Sequence, residues 1–138
     1  MRKLAFIVAV AAAAVALPIG GAAAVSPTFR LTIAHTVSGC HTWMHGMKTL
    51  GPTTKIVVKS GTQLKIRPNC PMDFDFVQTS GPRLALGAKR TYAGTIRTIV
   101  FRKPGVYKLA VTNVQSSVER NLVTLGPDNK LSLTIIAR

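Results

Sequence analysis

Every second residue is large and apolar in several short runs of this chain. Phe29, Leu31 and Ile33 alternate, as do Phe74 and Phe76, Tyr107, Leu109 and Val111, and Leu131, Leu133 and Ile135. A period of two puts one set of side chains on one face of a strand, so each run reads as a strand with one buried face. Between the runs stand turn formers. Lys55 to Val58 and Gln63 to Ile66 flank Ser60-Gly61, which reads as a tight turn inside a two-strand unit. Ile96 to Phe101 leads into Pro104-Gly105, predicted to join two neighbouring antiparallel strands. Two stretches, Ser38 to Thr53 and Thr112 to Asn129, do not read as strands. About seven strands with turns between them predict an all-β sandwich or small barrel.

The N-terminus follows another logic. Arg2 and Lys3 precede an unbroken apolar run from Leu4 to Leu17, broken by Pro18, Gly20 and Gly21 before Ala22-Ala23-Ala24. Charge, apolar core and small residues in that order are the pattern of a secretory signal peptide, here residues 1–24. The run is shorter than the roughly 20 apolar residues that cross a bilayer. The expected domain is therefore 25–138, exported from the cytoplasm, where Cys40 and Cys70 would meet an oxidising environment.

The 18 Lys and Arg stand against 4 acids, a net charge of +14. Loss of Arg2 and Lys3 would still leave +12. Four carboxylates leave little material for acid–base catalysis, and no enzyme is expected. Such a charge favours an anionic partner, which could be an acidic protein, a cell-envelope polymer or a membrane surface. Nucleic acid is not expected for an exported chain with few aromatics. The alternative is that Lys55, Lys59, Lys65, Arg67 and Arg97 alternate outward on strands and keep the domain soluble.

The segment Ile56 to Asn69, with its strand, Ser60-Gly61-Thr62 turn, second strand and Asn, resembles the cupredoxin pattern. Phe101 to Leu109, through Pro104-Gly105-Val106-Tyr107, is similar to that family's strand and hairpin before its copper loop. Asn69 to Gln78, Gly39 to Trp43 and Gly126 to Asn129 extend the resemblance over most of residues 28–138. It implies a cupredoxin-like Greek-key β-sandwich and, by family habit, copper.

The blue-copper ligand set is another matter. Such a site takes two His, a Cys thiolate and usually a Met, mostly from one loop. After Tyr107 the chain reads LAVTNVQSSVERNLVTLGPDNK, without Cys, His or Met, and Phe74 stands in the register of the first His. Potential ligands concentrate instead in Cys40, His41, Met44, His45 and Met47. Thiolate and thioether suit Cu(I), and imidazole suits either copper state or zinc. The fold that the resemblance implies brings this loop towards Cys70 to Asp75, so that Met72 and Asp73 could complete a non-standard copper site.

The competing reading needs no metal. There Cys40 pairs with Cys70, Trp43 caps the core, and the module docks to an anionic envelope component. His41 and His45 have the spacing of a zinc-protease helix, but the Glu that would act as base is missing and Gly46 ends any helix.

Overall fold

A computed structural model describes residues 24–36, 41–119, 121 and 130–138. Residues 1–23 of the expected signal peptide, Cys40 and the Gly126 to Asn129 motif lie outside the described residues. Among the described residues there are ten strands and no helix long and apolar enough to cross a membrane.

The strands are β1 (Thr28–His35), β2 (His41–His45), β3 (Lys48–Gly51), β4 (Thr53–Val58), β5 (Gln63–Pro68), β6 (Asp73–Ser80), β7 (Arg90–Thr91), β8 (Arg97–Val100), β9 (Gly105–Val114) and β10 (Lys130–Ala137). They form two five-stranded sheets. The first has the order β3-β2-β1-β5-β8 and the second β4-β10-β9-β6-β7. Each sheet is mixed, because β1 runs parallel to β5 and β4 parallel to β10. The expected all-β sandwich is present, with more strands than the seven expected.

The alternating residues face inward as their period requires. Leu31, Ile33, Phe74, Phe76, Tyr107, Leu109, Val111, Leu131, Leu133 and Ile135 are all buried between the sheets. Trp43 is fully buried too, and its Nε1 donates to the Ser132 carbonyl 3.0 Å away, tying β2 of one sheet to β10 of the other. The polar tip of a large ring is satisfied where it would otherwise carry a desolvation cost.

Several expectations are corrected. The stretch from Ser38 to Thr53 contains β2, β3 and the first residue of β4, and β9 runs on to Val114. The two turns do not close hairpins. Ser60-Gly61 carries the chain from β4 in the second sheet to β5 in the first, and Pro104-Gly105 carries it from β8 in the first to β9 in the second. A turn former reverses direction but does not choose the strand's partner, and here both turns change sheets. Gly61, with φ at +85°, takes a backbone conformation that suits such a corner.

Arg97 is the third correction. It does not alternate outward but lies buried, in phase with Ile99. Its guanidinium donates to the carbonyls of Leu86, Ala88 and Lys89 and, at 2.5 Å, to Thr91 Oγ1. It also sits 4.7 Å from the centroid of the Phe76 ring. Burial lowers its pKa from the ordinary value, with Asp75 opposing, and an arginine in this setting stays charged. These bonds hold residues 81–89, the strap between β6 and β7, against the sandwich. Gln78 organises the strap's other end: its Nε2 donates to the Pro82 carbonyl at 2.7 Å, and its Oε1 accepts from Leu84 N at 2.9 Å. Gly81 lets the strap leave β6, since a Cβ there would collide with the Val106 carbonyl.

Asp75 and Arg90 face each other across β6 and β7, with Arg90 Nε 2.9 Å from Asp75 Oδ1 and Lys89 Nζ 3.4 Å from Oδ2. The Arg90 hydrogen bond, helped by Lys89, holds the Asp75 carboxyl below its usual pKa.

Two outcomes follow. Arg97→Met keeps the apolar stem but leaves the strap carbonyls and Thr91 without their donor, and should lower unfolding free energy by about 2–4 kcal/mol in urea titration. Asp75 contributes stability that is present above its unfolded pKa of about 3.9 and is lost as pH falls through its lower folded value. Asp75→Asn should therefore show a shallower loss of stability than the parent protein below about pH 4, read from unfolding midpoints across pH.

Candidate functional site

The chain's expected ligands are dispersed by the geometry of one strand. In β2, His41 and His45 are four residues apart, which separates their Cα atoms by roughly 13 Å in extended chain. His45 is exposed, stacks on Phe29 with ring centroids 4.4 Å apart, and donates from Nδ1 to the Arg30 carbonyl at 2.8 Å. Met47 is in the following turn and 98% exposed. Met44 is half-buried, on the opposite face of β2 from Trp43. This hairpin does not gather His41, Met44, His45 and Met47 around one point.

His41 is placed differently. It opens β2 at one end of the sandwich and is buried. Its cross-strand partner on β1 is His35, and the two rings stack with centroids 4.8 Å apart and planes 27° from parallel. The edge of the pair is closed by Phe74, whose ring stands nearly perpendicular to His41 at 5.3 Å. Asn113, near the end of β9 and directly opposite Phe74 on β6, completes the wall. Asn113 Nδ2 lies 3.2 Å from His41 Nδ1 and 3.1 Å from Nε2. Asn113 Oδ1 is buried and finds no hydrogen-bond partner among the described residues. A half-turn of the amide would let that oxygen accept from a ring N–H, so Asn113 can orient either tautomer of His41.

The segment Cys70 to Asp73 reaches the same end, since Ile33 pairs with Pro68 and the Ile33 carbonyl accepts from Asn69 N at 2.7 Å. Its expected ligands are already engaged in the fold. Met72 is buried in the core. Asp73 is buried and accepts from Ala93 N at 2.9 Å and from both Ser117 N and Ser117 Oγ at 3.1 Å. Ser116 donates to the Pro71 carbonyl and accepts from Glu119 N at 2.7 Å, so residues 115–119 are tied to this corner. Cys70 is half-buried and a free thiol. Cys40, its expected disulfide partner, lies outside the described residues. Desolvation raises the Cys70 pKa, a backbone hydrogen bond at Met72 opposes this, and Asp73 adds to it. The thiol is thus held in its protonated form, and a metal bound there would have to displace that proton.

Among the described residues, no three His, Cys, Asp or Glu side chains converge as a metal cluster. A blue-copper centre does not fit the residues present: the end of β9 offers Thr112, Asn113 and Val114 where sulfur and imidazole would be needed. The imidazoles of His35 and His41, with the Asn113 amide beside them, offer nitrogen donors at this end, and Cys70 does not converge with them as a third ligand. His35 and Asn113 were not singled out from the sequence. The signal for His35 was its place at the end of an alternating strand, two residues after Ile33; Asn113 fell in a stretch not read as strand.

No protein-family model matches this chain, and no curated protein matches it in sequence. Solved structures similar to it include a laccase from Pediococcus acidilactici, at 13% identity and a TM-score of 0.44 over 80% of this chain. The chain spans 26% of that laccase. Reduced rusticyanin is similar at 11% identity and a TM-score of 0.39, over 80% of this chain and 79% of that one. Rusticyanin from Thiobacillus ferrooxidans gives 10% identity and a TM-score of 0.38, over 80% and 77%. The strand order and register make the chain a two-sheet, mixed β-sandwich.

Proposed function

We propose that this protein is an exported copper-binding module, without a catalytic step, whose site is centred on His41 and His35 rather than on a blue-copper ligand set. The observation that carries this reading is the stacked imidazole pair at one end of the sandwich, beside a buried Asn113 whose Oδ1 has no partner among the described residues. His41 and His35 would supply nitrogen ligands. Cys40, next to His41 in sequence, would supply sulfur. Imidazole with sulfur suits copper in either oxidation state. Asn113 would fix the orientation of the His41 ring, as outer-shell partners of metal-bound histidines do. The copper is cargo here, held and released outside the cytoplasm. A second reading, a metal-free binding module, is favoured by the engagement of Met72 and Asp73 in the fold itself.

Competition with a chromophoric Cu(I) chelator tests the reading on the purified protein. One equivalent of copper should be retained, and His35→Ala should weaken retention by about tenfold or more, the usual scale of losing part of a metal site. His45→Ala and Met47→Ala should leave it unchanged. Added Cu(II) should produce no intense blue band, since two imidazoles and a thiolate of the blue-copper arrangement are not assembled. A folded protein that retains no copper, or one whose copper is lost in the His45 and Met47 variants instead, overturns the proposal and leaves the metal-free module.

A further inference from the structure

The five strands of the first sheet carry no carboxylate side chain at all. Their outward positions carry cations. Arg30 on β1 is the register partner of Lys65 on β5, and Arg67 is the next outward residue on β5. Strand neighbours lie about 4.8 Å apart and same-face residues along a strand about 6.6 Å apart, so the three charges share one small patch. Like charges directly opposite each other destabilise a sheet, and no acidic neighbour on these strands offsets this pair.

The patch continues sideways. Lys65 pairs with Thr98 on the edge strand β8. Thr98 borders a cleft of about 270 Å³ between β8 and the strap, lined also by Arg83, Arg102 and Lys103. The strap forming the cleft's far wall is held by Arg97 and Gln78, so the cleft exists before anything enters it. The described carboxylates lie elsewhere: Asp73 and Asp75 on β6 of the second sheet and Glu119 after β9. Cations occur on both sheets, but among the described strands only the second sheet carries carboxylate side chains.

We infer that the outer face of the first sheet, from Arg30, Lys65 and Arg67 through Thr98 into the Arg83–Arg102–Lys103 cleft, binds a linear polymer bearing phosphate groups. Arginine's planar fork matches phosphate oxygens in pairs, and repeated anionic units along a chain can meet successive cations. A bilayer surface fits less well, because it cannot enter a cleft and because none of the large exposed hydrophobic residues lies on these strands. Nucleic acid fits less well because Trp43 is buried and the Phe29 ring is already stacked on His45, so these strands offer no free Phe, Tyr or Trp face to bases. The inference is independent of copper binding.

The test uses long-chain inorganic polyphosphate as probe, with the purified protein and three charge-matched double variants. Arg30→Gln with Lys65→Gln removes the patch, Arg83→Gln with Arg102→Gln removes the cleft, and Lys55→Gln with Lys130→Gln removes two cations from the second sheet. The first two should each weaken binding by about tenfold at near-physiological salt and flatten its salt dependence, while the third changes it by less than about twofold. Urea midpoints should be unchanged or higher in the patch variant, because a like-charge pair is relieved, which separates lost binding from lost folding. Equal losses in all three variants would show attraction to net charge alone and overturn the inference. So would tighter binding to phosphatidylglycerol vesicles, or to single-stranded DNA of equal charge, than to polyphosphate.

Discussion

The guanidinium of Arg97 is buried between the sheets without a carboxylate to neutralise it. Its hydrogen bonds go to three backbone carbonyls and one hydroxyl, and the Phe76 ring lies against it. A buried cation without such donors' partners would be untenable, so the strap and the arginine are conditional on each other. Because Arg97 belongs to β8 and Phe76 to β6, the same side chain also links the edge of one sheet to the interior face of the other. The long connection beside β8 is held by this residue, and it forms the far wall of the cleft between them.

Much of this fold was legible in the period of its apolar residues, because a two-residue repeat has only one inward phase. Leu31 and Ile33, Tyr107 to Val111 and Leu131 to Ile135 face the core as that phase demands. Arg97 was legible by the same rule, being two residues before Ile99 and four before Phe101, but its charge argued for the surface and masked its phase. The turns at Ser60-Gly61 and Pro104-Gly105 were visible as turns. Their destinations were not, because the parallel partner of β4 is β10 and that of β5 is β1, each far away in sequence. Strand pairing at that separation is decided by the whole sandwich rather than by any local signal.

The ligand-rich stretch after Cys40 shows a different limit. His, Trp and Met at four of five consecutive positions read as a cluster, yet a strand sends neighbours to opposite faces and residues four apart to distant points. Trp43 and His41 go inward, Met44 outward, and His45 ends on Phe29. What the strand does bring to His41 comes from elsewhere: His35 from the preceding strand, and Phe74 and Asn113 from the opposite sheet. Composition marked the right end of the molecule through His41 but not the company it keeps.

The position of β10 carries a consequence for how the molecule forms. It is flanked by β4 on one side and β9 on the other, and it accepts the Trp43 indole from the first sheet. Until its residues arrive, β4 and β9 each present a row of unpaired backbone groups, and Trp43 has no carbonyl to meet. Assembly of the second sheet therefore waits on a late segment and on pairings between distant parts of the chain, a topology associated with slow folding and exposure to aggregation on the way. The waiting chain is also strongly cationic, and mutual repulsion between copies opposes their association during that interval.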